Sequence, residues 1–295
     1  MHLRSWFQRF RGRAEDRECR RVVAVLGMHR SGTSAVTRGL QALGVYLGND
    51  FLDAQPENPT GYWEDKGIVD LNERVLEALG SSWDDSAAIH APAFDSGTLR
   101  ALQRTAARYV RRTFGGRPLW GFKDPRTLRV LPLWLGVFEA AGLDDAYLLV
   151  IRNPMSIAKS LFARRQMPLE DALRLWLAYS MTFFGRVAGK TMVVVDYDRF
   201  MLEPRRELQR IARGLRIGAS SEETGRNVDR FAEEFLDEGL RHTTFSLDDI
   251  DTATPSGRVA RDAYALLLDL ASDRRTPDDE FWKEWRLLGE GMPHG

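Results

Sequence analysis

Five consecutive apolar residues, Val22 to Leu26, run directly into Gly27-Met28-His29-Arg30-Ser31-Gly32-Thr33-Ser34, and this junction constrains the fold most. A continuous, β-branched run bounded by arginines and a glycine fits a strand buried on both faces. The residues beyond it predict a helix from about Gly32 to Leu43, closed by Gly44. A turn of this kind gathers backbone N–H groups at the positive end of a helix, which makes a cradle for an anion.

The strand-turn-helix pattern recurs. Leu119-Trp120-Gly121-Phe122, Ala146 to Ile151 and Met192 to Val195 read as further buried strands. Between and after them, apolar spacing predicts helices over 97–112, 131–141, 154–164, 169–187 and 203–215, with another through Ile68, Leu71, Val75 and Leu79. Such alternation predicts an α/β fold: a P-loop-type, mostly parallel sheet of about four to five strands, helices on both faces, and a helical C-terminal tail. The expected organisation is a basic leader over 1–20, an α/β domain over 21–245, and a polar connection with a helical tail over 246–295 packed on the same domain.

Charge limits the partners. Lys plus Arg and Asp plus Glu are 42 each, so no global positive field draws nucleic acid, and any anion site must be local. The single cysteine, Cys19, excludes an internal disulfide framework and a cysteine cluster for metal, and implies a reducing, cytoplasmic setting with no metal. No apolar run approaches the ~20 residues that span a bilayer. Within residues 1–13, Trp6, Phe7 and Phe10 alternate with Arg4, Arg9, Arg11 and Arg13; a peripheral membrane helix and a solvated leader are both open readings.

The loop nearly fits the triphosphate-binding pattern G-x-x-x-x-G-K-[ST], but Thr33 stands where the lysine belongs, which argues against a nucleoside triphosphatase. Its positive charge comes instead from Arg30, which suits a shorter anion lying across the loop. The plain alternative is that Ser31 or Thr33 merely caps the helix. A second constellation follows the strand ending at Ile151: Arg152 offers a charged fork, and Ser160, eight residues on, a hydroxyl for one phosphate.

Arg30-Ser31-Gly32-Thr33 and Arg152-x-Pro154-x-x-x-x-x-Ser160, in that order and spacing, resemble the donor site of sulfotransferases that use 3′-phosphoadenosine 5′-phosphosulfate (PAPS). The likeness covers roughly residues 20–215, including Gly121-Phe122-Lys123-Asp124-Pro125-Arg126 and Val194 to Phe200. It implies that Arg30, Ser31, Gly32, Thr33 and Ser34 take the 5′-phosphosulfate, and that Arg152 and Ser160 take the 3′-phosphate. It also implies catalytic roles for Arg30 and Lys123, with 3′-phosphoadenosine 5′-phosphate (PAP) as product. Two departures stand out. Asp124 or Pro125 occupies the place of the histidine base of small-molecule members, and the glycine-rich basic element near the C-terminus is not recognisable, with Arg241-His242 a candidate for part of it and a solvated helix-end pair the alternative.

A carboxylate can replace that histidine. Glu64 follows the irregular stretch 48–62 and resembles the glutamate base of carbohydrate and protein sulfotransferases; Asp65, Glu57 and His29 are its rivals. Tyr62 and Trp63 beside it either stack on a sugar or pack. The resemblance therefore points to a small-molecule or glycan acceptor, with a carbohydrate or glycoconjugate hydroxyl favoured. A nucleotide or small-molecule kinase and a non-catalytic nucleotide-binding module are the competing functions.

Overall fold

The computed structural model describes residues 20–55, 61–218, 221–235 and 245–292. Four strands, β1 (Arg21–Leu26), β2 (Leu119–Lys123), β3 (Asp144–Ile151) and β4 (Thr191–Asp196), form one sheet in the order β2-β1-β3-β4, with every pairing parallel. The helices of the first half are α1 (Thr33–Ala42), α2 (Lys66–Ala78), α3 (Gly97–Phe114) and α4 (Leu131–Ala141). They are followed by α5 (Pro154–Arg165), α6 (Leu169–Met181), α7 (Tyr197–Leu202) and α8 (Pro204–Gly214), then by α9 (Glu222–Arg230), α10 (Pro255–Ala271) and α11 (Asp279–Glu290).

Period-two alternation sends side chains to both faces. Val22, Ala24 and Leu26 of β1, with Tyr147, Leu149 and Ile151 of β3, join the apolar core under α2 to α6, α10 and α11. Val23, Val25, Ala146, Leu148 and Val150 point the other way, against α1, α7, α8 and α9. Burying each such valine, leucine or isoleucine contributes about 1.5–3 kcal/mol, which is why these runs fix the register. The outer side of β2 is met by Tyr46, whose carbonyl accepts from Gly121 N and whose N–H donates to Leu119 O.

Parallel pairing puts all four C-terminal strand ends on one edge. Lys123 lies level with Val25, and Ile151 with Asp196, so Lys123, the loop after Leu26, and Arg152 come out side by side.

Three elements differ from expectation. The helix from Leu169 stops at Met181 rather than Val187; Thr182 donates to Ala178 O, and a short 3-10 turn (Phe184–Val187) follows. The break lets adjacent rings part, Phe183 packing on Phe94 and Phe184 on Trp282 and Trp285. Neither α7 nor α9 is expected from the sequence: α7 is only six residues long, too short for a periodic signal, and α9 buries only Val228.

Candidate functional site

The loop after β1 turns on two left-handed residues, Arg30 (φ 71°) and Gly32 (φ 83°). Gly32 is required twice over. Its φ suits a residue without Cβ, and a Cβ there would lie 1.9 Å from the Tyr197 ring. Among the described residues no side chain caps α1, so the first-turn N–H groups face the loop.

The turn at Arg30 sends neighbouring side chains apart. Arg30 Nε donates to Ser160 Oγ at 2.9 Å, while its carbonyl accepts from Arg152 Nη1 at 3.2 Å. The two sequence motifs are therefore one cluster, and Ser160 contacts Arg30 rather than Arg152. Arg152 is buried, its guanidinium sits 4.8 Å over the Tyr197 ring, and its Nε has no hydrogen-bond partner among the described residues. A buried unpaired donor costs about 1–3 kcal/mol, a penalty that an anion at this spot would remove.

Lys123, 2% exposed, reaches from the end of β2 to Glu64 Oε1 at 2.5 Å, Tyr62 O at 3.0 Å and Ser34 Oγ at 3.3 Å. Ser34 also donates to Tyr62 O at 3.2 Å, closing the group. One ammonium thus joins the loop after β1 to Glu64. That glutamate is 4% exposed, with Arg126 Nη1 3.6 Å from its other oxygen. Burial pushes the Glu64 carboxyl up, the Lys123 ammonium pulls it down, and the net direction is upward.

The rivals are placed differently. Asp65 caps α2, its Oδ1 accepting from Ile68 N at 3.0 Å and from Tyr109 Oη at 2.6 Å. Asp124 is fully buried and accepts from Asn72 Nδ2, Arg126 N and Arg126 Nη1, which fixes the turn after β2. Glu57, Arg241, His242 and residues 1–13 lie outside the described residues. Phe245 and Ser246 are tied beside Arg152 all the same, both carbonyls accepting from Asn153 Nδ2 at 3.0 and 2.9 Å.

His29 points away from Arg30, its ring 4.8 Å from Trp83 and 5.8 Å from Tyr179. Its Nε2 is buried without a partner among the described residues. Burial, then the charges of Arg126, Lys123, Arg30 and Arg165, holds the imidazole neutral well below its ordinary range. Below about pH 6.5 the unfolded chain takes up a proton that folded His29 refuses, so this residue's contribution falls as pH falls, by up to about 1.4 kcal/mol per unit. Urea unfolding at about pH 7 and pH 5 should show wild type losing more stability than His29→Gln; equal losses would mean that the imidazole titrates freely.

Several contacts of the site had no sequence signal. Arg126 bonds Glu73 at 2.5 Å and Asp124 at 2.9 Å beside Glu64. Trp83 is held through its carbonyl by Tyr179 Oη at 2.7 Å, with Arg165 5.1 Å over its ring. Tyr197 lies in the stretch Val194 to Phe200 that carries the resemblance, but its place against Gly32 comes only from the structure.

A family model described as "Sulfotransferase family" matches residues 23–220, well over half of the chain. Comparison with curated proteins finds no match. Among solved structures, the chain is similar to the sulfotransferase domain of the Synechococcus PCC 7002 olefin synthase, at 14% identity, covering 86% of this chain and 98% of that one, with a TM-score of 0.47. It is also similar to sulfotransferase STF1 from Mycobacterium tuberculosis H37Rv, at 17% identity over 83% and 76% of the two chains and a TM-score of 0.44. A third likeness is to retinol dehydratase in complex with androsterone and inactive cofactor PAP, at 14% identity over 91% and 79%, with a TM-score of 0.34.

Proposed function

The chain belongs to the sulfotransferase family, and from that premise we propose that it moves a sulfuryl group from PAPS to a hydroxyl of a carbohydrate or glycoconjugate, with Glu64 accepting the proton. The observation that carries this reading is Lys123, buried between Ser34 of the anion loop and the carboxylate of Glu64.

PAPS supplies an activated sulfuryl group. Residues Arg30, Ser31, Gly32, Thr33 and Ser34 would hold its 5′ end, and Arg152 with Ser160 its 3′-phosphate. The unpaired, buried Nε of Arg152 and the uncapped start of α1 fit a donor with two anionic ends.

Arg30 and Lys123 are fixed cations, placed to stabilise charge as it moves to the leaving oxygen. Their orientation is set before substrate arrives, Arg30 by Ser160 and Lys123 by the Tyr62 carbonyl. Glu64 takes the acceptor proton. Its burial strengthens it as a base, and its contact with Lys123 ties proton uptake to the cation facing the donor. Lys123, Ser34 and the Tyr62 carbonyl hold Glu64 and the anion loop in one geometry, which lowers the entropic cost of bringing acceptor and donor together.

The test is calorimetric titration of PAP and, separately, of Mg-ATP. Wild type should bind PAP without metal and in preference to ATP. Arg30→Ala and Arg152→Ala should each weaken PAP by about ten- to a hundredfold, as expected for a lost charge-assisted bond. Preference for Mg-ATP would favour a kinase and reject the proposal.

A further inference from the structure

The donor frame is supported by a residue beyond the segment that the family matches. We propose that Tyr264 of α10 is a positioning residue for the donor site, acting through Asp196 and Tyr197 on Arg152. This inference rests on the donor reading given above.

Each link is a contact. Tyr264 is buried, and its Oη donates to Asp196 Oδ2 at 3.0 Å. The other oxygen of that carboxylate accepts from Arg199 N at 2.9 Å and caps α7. Tyr197 is the first residue of α7, and its ring lies against Gly32 on one side and the Arg152 guanidinium on the other. The Tyr264 hydroxyl therefore fixes the carboxylate that fixes the start of the helix carrying that ring.

The chain of contacts is stiff at its far end. Trp176 packs edge-on against Tyr264 with ring centres 6.4 Å apart. Arg210 donates to Leu270 O at 2.9 Å and pairs with Asp273 at 2.6 Å, and Arg199 donates to Ala271 O at 3.4 Å. These arginines lock the end of α10 to α7, α8 and β4.

Burial disfavours charge on Asp196, and the Tyr264 hydroxyl is among the donors that offset it. Without that donor, the carboxylate has a weaker hold on α7, whose first residue carries the ring beside Arg152. A hydrogen bond to a charged group outweighs one between neutral groups, and part of its loss would pass to the donor site.

Tyr264→Phe keeps the ring and its contact with Trp176 and removes only the hydroxyl. Calorimetric titration of PAP onto the full chain should show about a fivefold to tenfold loss of affinity in this variant. Placed on Arg152→Ala, the same change should cost no more than about twofold, because the route ends at Arg152. Asp196→Asn, made in parallel, should weaken PAP in the same direction and add little to Tyr264→Phe. Unchanged affinity in Tyr264→Phe, or losses that multiply fully on Arg152→Ala, would overturn the inference. A merely structural tyrosine would lower the melting temperature without that coupling. Failure of wild type itself to bind PAP would instead remove the donor reading, and this inference with it.

Discussion

Lys123→Ala should slow sulfuryl transfer by about a hundred- to a thousandfold, the loss typical of removing one fixed charge-stabilising donor. Its position explains why: the ammonium is 2% exposed and bonded to Ser34, the Tyr62 carbonyl and Glu64. Truncation also leaves Glu64 buried with Arg126 at 3.6 Å as its remaining cation. Breaking one side of a buried ion pair costs about 3–5 kcal/mol, so stability should fall as well. The double variant Lys123→Ala with Glu64→Gln separates the two effects. It should regain much of the stability, because no carboxylate is stranded, and none of the rate. Melting curves and rates with labelled PAPS measure both. A rate within about threefold of wild type in the single variant would take Lys123 out of the reaction.

Gly32→Ala should have the largest effect on donor binding. The new Cβ would sit 1.9 Å from the Tyr197 ring, where carbon atoms at rest are about 3.5–4.0 Å apart. The backbone there is left-handed at φ 83°, a strain of about 1–2 kcal/mol for a residue with a Cβ. Relief requires the loop to move away from Tyr197, taking Arg30 and Ser34 off their partners. We expect PAP affinity to fall at least a hundredfold and stability to fall by about 2–4 kcal/mol. Adding Tyr197→Ala should return part of the stability by removing the clash. It should not return the affinity, since Arg152 then loses the ring beneath it. Gly32→Ala binding PAP within about fivefold of wild type would show that the loop does not hold the donor.

The central sheet was legible because its signal is local. Val22 to Leu26 and Ala146 to Ile151 are unbroken apolar runs, and a parallel sheet buried on both faces needs such runs. The residues flanking those strands were legible for a related reason: parallel pairing carries Lys123, the Arg30 loop and Arg152 to one edge by topology alone. Pairings formed across the fold were not legible. Glu64 was singled out as a base, yet nothing in its neighbours shows a 2.5 Å contact with Lys123 or an Arg126 beside it. Trp83, Tyr197 and Tyr264 gain meaning only from partners that lie far away in sequence. The helix from Leu169 was drawn too long because apolar spacing continues past Met181, while the two phenylalanines there turn to different neighbours.

The way Arg30 and His29 diverge has a consequence for redesign. The proposed donor contacts are anchored on strand ends whose register the core enforces, whereas Glu64 and the ring beside His29 sit on two connecting segments, one carrying Tyr62-Trp63-Glu64 and one carrying Trp83. Partly exposed side chains on those segments can be varied, Glu64 apart, while the strand ends stay as they are. A library confined to Tyr62 and Trp83 would test whether these side chains select the acceptor against a constant donor frame.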